Sequence, residues 1–355
     1  MLTKPIQQLI VEGTLPDIVR SEDVEHAANY EVAPLLLATA TELGIEIPAS
    51  DVGLLTALSM KSENRSTQAL KSVAFLADAA EKTGCDVAVF KGPANAATLY
   101  DDIAKRPFGD VDIAIGLSGS RGVLDFLIEI GQPKRSAQAL VALLDSGAPV
   151  HEVSVPVLGV DIDVHFNPFG MISPVRAPEL LFDNLQKEIP LGGRQVMIPT
   201  PELALLISLV NLMRKGGGAL WIVADAVRLA EGKAGELNWA KFEEIGCAEG
   251  LLPIAAQGLR LLKEDLQIDV PENLTAERRW WGPLLGEGAA TKGLLRRGTF
   301  SILHRSPVAP VESLGALRRW YLPSERALQA RGTSTFEYIG SAVGSLTTAA
   351  RRLRK

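Results

Sequence analysis

Apolar positions change their period twice along the chain. Over residues 21–44, SEDVEHAANYEVAPLLLATATELG, they recur at helical spacing, with Ser21 placed as an N-cap and Gly44 as a stop. Pro34 falls inside this stretch and predicts a kink or a split, because its ring cannot continue the hydrogen-bonded turn. A second helix is expected over 67–84, TQALKSVAFLADAAEKTG, with Leu70, Val73, Leu76 and Ala77 on one face and Gly84 at its end. The pattern then shortens. CDVAVFKG reads as a strand ending at Lys91-Gly92, and PANAATLYDD as a helix with Pro93 in its first turn. Arg106 to Gly109 is a loop, VDIAIG a strand, and VPVLGVDIDVHF (155–166) one further β-branched strand. RQVMIP (194–199) is a short last strand. From Thr200 the helical period returns, with Thr200 as N-cap, Pro201 behind it, and Leu203, Leu206, Ile207 and Val210 as the buried stripe. LWIVADAVRLAEG is another helix, and Arg214-Lys215-Gly216-Gly217-Gly218 a plain loop before it. Trp280, Trp281 and Trp320 read as helix-packing anchors.

The expected class is therefore α+β. A helical region (1–84) precedes a mixed-sheet core (85–199), and a helical domain (200–355) follows it. With 47% hydrophobic and 22% charged residues, a chain of 355 residues can bury a proper core. A net charge of −6 argues against binding long nucleic acid through bulk charge. The basic tail, Arg351 to Lys355, reads as cations at the negative pole of a helix. Cys85 and Cys247 form neither a metal spacing nor a disulfide framework, which fits a reducing cytoplasm. MLTKPIQQLIVEG lacks the apolar region of a signal peptide, and no run of about 18 apolar residues predicts a membrane span.

One stretch breaks its own pattern. RPFGDVDIAIG puts Asp110 and Asp112 into a strand, where aspartate is disfavoured. By the period-two rule Asp112, Ala114 and Gly116 share one strand face, joined by Asp110 if the strand starts early, with Val111, Ile113 and Ile115 on the other. Asp161, Asp163 and His165 share a face in the same way. Carboxylates at this density are costly to bury unless a cation neutralises them, and Mg²⁺ (or Mn²⁺) takes oxygen ligands of this kind. A lone D-x-D is a weak signal, Asp110 after Gly109 is also turn chemistry, and a single His165 is more often a satisfied core histidine. The order of pieces raises the functional reading: strand, Lys-Gly, helix, loop, D-x-D strand, acidic strand.

That order resembles the nucleotidyltransferase superfold. More closely, the chain resembles an uncharacterised bacterial nucleotidyltransferase family with a KG…LY…RPxGDxD…IDxH pattern. The matching residues are Lys91, Gly92, Leu99, Tyr100, Arg106, Pro107, Gly109 to Ile113 and Ile162 to His165. Pro199-Thr200-Pro201-Glu202 and Trp221 to Asp225 look like later pieces of the same pattern. The resemblance implies that Asp110 and Asp112 hold the metal of a nucleoside triphosphate. It implies that Asp163 completes a second metal site and helps deprotonate the acceptor hydroxyl, with Asp161 as the alternative third ligand. Gly92 would let the backbone approach phosphates. Pro93 departs from the superfold, which usually has Ser or Gly there, so phosphate contacts must come from Lys91, Arg106 or Asn95. Arg106 is the stronger of these because its fork grips phosphate bidentately; its alternative role is an ion pair that fixes the loop. Tyr100 and Asp225 read as structural rather than chemical; the alternative for Tyr100 is stacking on a base, and for Asp225 orienting a basic group.

The expectation is a cytoplasmic, Mg²⁺-dependent nucleotidyltransferase that moves an NMP group from an NTP to a small-molecule or protein acceptor and releases pyrophosphate. One rival is a D-x-D glycosyltransferase using a nucleotide sugar, which leaves Lys91-Gly92 and the Asp163 strand without a task. The other is a degenerate fold that binds nucleotide or a partner without catalysis, which Pro93 favours. Replacing Asp110 or Asp112 by Asn is expected to abolish transfer and leave the apo fold intact, because it relieves carboxylate repulsion.

Overall fold

The computed structural model describes residues 4–116, 120–145, 150, 152–169, 181–214, 220–248 and 251–275. The glycine run at 216–218, Trp280, Trp281, Trp320 and the basic tail lie outside the described residues. Helices α1 (Lys4–Glu12), α2 (Ser21–Asn29), α3 (Ala33–Leu43) and α4 (Ala49–Thr83) come first. Pro34 splits the first predicted helix in two and sits in the opening turn of α3, where its missing N–H has no consequence. Ser21 is the first helical residue rather than the cap. The N-cap position belongs to Arg20, and the Ser21 hydroxyl bonds the Asp51 carboxylate instead. Gly44 and Gly84 end α3 and α4 in the left-handed conformation, as glycine at those places predicts.

The sheet has six strands: β1 (Val87–Phe90), β2 (Asp110–Ile115), β3 (Glu152–Val157), β4 (Val160–His165), β5 (Leu185–Leu191) and β6 (Arg194–Pro199). Their spatial order is β3-β4-β2-β1-β6-β5. Two pairs are parallel, β2 with β4 and β1 with β6; the other neighbours are antiparallel. The apolar run 155–166 is not one strand. Leu158 and Gly159, at φ 51° and 79°, make the tight turn of a β3–β4 hairpin. Helix α5 (Gly92–Leu99) joins β1 to β2, and α6 (Ser120–Glu129) and α7 (Lys134–Asp145) supply the crossover that makes β2 and β4 parallel. Helices α8 (Pro201–Arg214), α9 (Leu220–Ala230), α10 (Trp239–Ala248) and α11 (Leu252–Arg260) complete the described elements of length. Thr200 precedes Pro201 as expected, but its buried hydroxyl finds no hydrogen-bond partner.

The sheet separates two apolar cores. Val111, Ile113, Ile115, Ile162 and Val164 pack against the C-terminal half of α4 and against α6 and α7. Ala88, Phe90 and Ala114, on the opposite face, join a core that unites α1–α3 with α8–α11. Helix α4 takes part in both, through Leu55 in one and Val73 and Leu76 in the other. Its 35 residues span about 50 Å at 1.5 Å per residue, enough to tie the N-terminal helices to the sheet. No described helix is long and apolar enough to cross a membrane.

The two thiols have opposite environments. Burial, with the Asp86 charge adding to it, pushes Cys85 up to about 12, whereas Cys247 is exposed. At pH 8, maleimide is expected to label Cys247 rapidly. Cys85 should react about 1000-fold more slowly than an ordinary thiol until the fold is opened by denaturant, by the difference between about 12 and 9.0. Mass spectrometry of the time course checks this.

Candidate functional site

The acidic strands meet in register. Parallel pairing of β2 with β4 sets Asp110 opposite Asp161 and Asp112 opposite Asp163. With side chains alternating, all four carboxylates lie on one face, shared with Phe90 across the β1–β2 pair and with His165 two residues on. These strands floor a cleft of about 840 Å³, whose walls come from α4, the RPFGD loop, α8 and α9. A cleft of this volume takes a nucleotide-sized ligand.

The β1–α5 turn delivers Lys91 to that floor. Its backbone lies at φ 55°, ψ −122°, a conformation rare for a residue with a side chain and costing about 1–3 kcal/mol. The turn closes when the Asn95 N–H donates to the Lys91 carbonyl at 2.7 Å. Lys91 Nζ reaches Asp112 Oδ1 at 2.6 Å, and His165 Nε2 meets the same oxygen at 2.7 Å. His165 Nδ1 stands 3.5 Å from Glu152, and Phe90 packs its ring edge-on against the imidazole. Burial alone would raise Asp112; the Lys91 charge and the His165 ring overcome it and hold its carboxyl well below the ordinary range. Asp163 moves the other way. Its partial burial, reinforced by the charges of Asp112 and Glu152, outweighs a hydrogen bond from Ser154 and raises it. Two carboxyl groups on neighbouring strands thus differ in character: Asp112 is a fixed anion, Asp163 a readier proton acceptor.

Arg106 and Asn95, both expected to meet phosphate, are turned to another partner. Arg106 is 3% exposed and donates from Nη2 to Asp225 Oδ2 at 2.8 Å, and from Nε to both Asp225 oxygens at 3.2–3.3 Å. Asn95 Nδ2 and the Tyr100 hydroxyl donate to the same carboxylate at 2.9 and 3.0 Å. Arg106 Nη1 donates to the Pro107 carbonyl, and the guanidinium stacks on Trp221 at 4.3 Å. Asp225 therefore holds a basic group in place, and Arg106 takes its alternative role of an ion pair that fixes the loop. Asn95 does not line the cleft, whereas Arg106 retains an edge on it beside Trp221. Turning Arg106 away from the buried Asp225 carboxylate would leave its charge uncompensated, at a cost of about 3–5 kcal/mol. Gly92 is needed for packing: a Cβ there would stand 3.0 Å from the Cβ of Phe108. Arg65 and Gln68, on the cleft-facing side of α4, carry no motif signal and were not readable in the sequence pattern.

The donor set suits a hard cation: Asp110 is exposed, Asp163 half-buried, and Asp112 keeps Oδ2 beyond the two contacts at Oδ1. Among the described residues no three His, Cys, Asp or Glu side chains gather closely enough to hold a metal by themselves.

Residues 22–267, which include every residue of this cleft, match the model of a family described as uncharacterised nucleotidyltransferase. No curated protein matches. Among solved structures, an antigenic nucleotidyltransferase-like protein from Paracoccidioides brasiliensis aligns at 18% identity, over 57% of this chain and 94% of that one, with a TM-score of 0.34.

The aspartates are not equivalent in the apo protein, contrary to the expectation that neither supports the fold. Asp112→Asn removes the anion between Lys91 and His165 and is expected to lower unfolding free energy by about 1–3 kcal/mol. Asp110→Asn, at an exposed position, should change it by less than about 0.5 kcal/mol. Asp225→Asn strands a buried arginine and should lose about 3–5 kcal/mol. Urea unfolding of the three variants without metal measures all of this.

Proposed function

The chain belongs to the uncharacterised nucleotidyltransferase family, and from that premise we propose that it transfers an NMP group from an NTP to a hydroxyl-bearing acceptor, with Mg²⁺. The observation that carries the proposal is the in-register pairing of β2 and β4, which collects Asp110, Asp112, Asp161 and Asp163 on the floor of one cleft. Asp110 and Asp112 would hold the metal together with the triphosphate, and Asp163 would complete the set. When bound, the metal neutralises charge that builds on the phosphate oxygens.

The chain's own residues account for the rest. The acceptor oxygen bonds to the α-phosphorus, the bond from that phosphorus to the α–β bridging oxygen breaks, and pyrophosphate leaves with the electron pair. The acceptor's proton would pass to Asp163, the half-buried carboxylate on the strand beside Asp112. Lys91, rigid on its strained turn, sets the position of Asp112 and places a positive charge beside the triphosphate.

A second reading has one observation in its favour. Asp112 is already ion-paired with Lys91 and in hydrogen-bond contact with His165, and Pro93 offers phosphate no N–H, so the cleft is also compatible with nucleotide binding without transfer. Incubation with each NTP, Mg²⁺ and a lysate fraction as acceptor source separates the two. Transfer predicts pyrophosphate release that falls at least 100-fold in Asp110→Asn and in Asp163→Asn, with nucleotide still bound in Asp163→Asn. Tight NTP binding with no release in any fraction would favour the second reading.

A further inference from the structure

We propose that Arg65, on α4, is the residue that grips the leaving β- and γ-phosphates of the nucleotide. The assignment rests on the nucleotidyltransferase reading and begins from the charge balance of the cleft. Its lining carries the four aspartates with Glu31 and Glu152, against the cations Arg65, Lys91 and Arg106 and the imidazole of His165. A triphosphate cannot settle beside that many carboxylates unless cationic groups meet it. Lys91 is paired with Asp112, and Arg106 with Asp225. Arg65 is exposed to the cleft and makes no ion pair among the described residues.

Its place is fixed by two contacts. The Ser66 hydroxyl, on the next residue of α4, donates to the Phe108 carbonyl at 3.3 Å and ties that turn of the helix to the RPFGD loop. The Arg65 stem then lies along Gly109, where an added Cβ would stand 3.4 Å from its Cδ and 3.7 Å from Nη1. Asp110 is the following residue, so the guanidinium sits at the mouth of the acidic face with its fork unengaged. A free guanidinium fork fits paired phosphate oxygens. Asp163, the proposed proton acceptor, lies opposite Asp112, two positions along the strands from Asp110; an α-phosphate reacting beside Asp163 would leave the β- and γ-phosphates toward the Gly109–Asp110 end of the cleft, next to Arg65.

Calorimetric titration of the full chain tests this, using the four NTPs, the corresponding NMPs and inorganic pyrophosphate, each with Mg²⁺. Arg65→Ala is expected to weaken NTP and pyrophosphate binding by about 10- to 100-fold and to leave NMP affinity within about twofold. Arg65→Lys, a point charge without the fork, should fall between. If Arg65→Ala lowers the melting temperature, Arg65→Gln, which keeps the stem against Gly109, is read in its place. Unchanged NTP affinity in the variant would overturn the role of Arg65 alone. Equal losses for NTP and NMP would overturn its placement on the leaving phosphates. A wild-type protein that binds none of the four NTPs would overturn the nucleotidyltransferase reading and this assignment with it.

Discussion

Asp225 carries its charge almost fully buried, its side chain 2% exposed, and it can do so because four donors converge on it. An isolated carboxylate in such a place would be too costly to keep ionised. Arg106 neutralises it, and Asn95 and Tyr100 fill its remaining lone pairs. The donors come from different parts of the chain: α5 and the segment after it, the loop before β2, while the acceptor stands on α9. The pair is therefore a joint between the cleft end of the sheet and the helical body. Arg106 in turn spans Trp221 and the Pro107 carbonyl, so the loop leading into Asp110 inherits its shape from that joint. Arg228, one turn along α9, stacks on Tyr100 and donates to the Ile10 carbonyl, which extends the same attachment to α1.

With the loop held, the strained turn at Lys91 becomes intelligible. A residue in that backbone conformation persists only where its surroundings leave no alternative. Here α5 must start at once after β1, Phe108 closes the space beside Gly92, and the Lys91 side chain is drawn to Asp112. The outcome is a floor whose charges are sorted by environment. Asp112 lies between two nitrogen groups, Asp163 is pushed upward by burial and its acidic neighbours, and Asp110 stays in solvent. Two chemically identical side chains two residues apart on one strand thus have different surroundings: Asp112 is held by Lys91 and His165, and Asp110 is exposed to the cleft.

Much of this was legible along the chain where a signal is local. Period-two alternation placed β2 and its two faces. Glycines stopped α3 and α4, and β6 matched its apolar run at both ends. Where the information is not local, the pattern misled. The run 155–166 reads as one strand because Leu158 is apolar, yet only the left-handed turn at Leu158-Gly159 lets the chain fold back into a hairpin. Strand β5 carries Gln186, Lys187 and Glu188 and so lacks the apolar alternation of a half-buried strand; its pairing with β6 holds it in the sheet. Arg106 and Asn95 have phosphate-binding chemistry, and nothing near them in the sequence reveals that a carboxylate more than a hundred residues later would take both.

The sequence by itself determined the acidic face. The spacing Asp110-x-Asp112 and Asp161-x-Asp163 follows from the two-residue repeat of a strand, whatever the rest of the protein does. It likewise determined the Lys91-Gly92 turn, the RPFGD loop and the family pattern that links them. Tertiary structure alone decided which charges remain available. Register brought the two aspartate pairs side by side, burial and partners divided Asp112 from Asp163, Asp225 withdrew Arg106 and Asn95, and α4 brought Arg65 to the cleft from outside every motif. The reason is physical: strand faces are set by neighbours along the chain, whereas the charge state and freedom of a side chain are set by what packs against it.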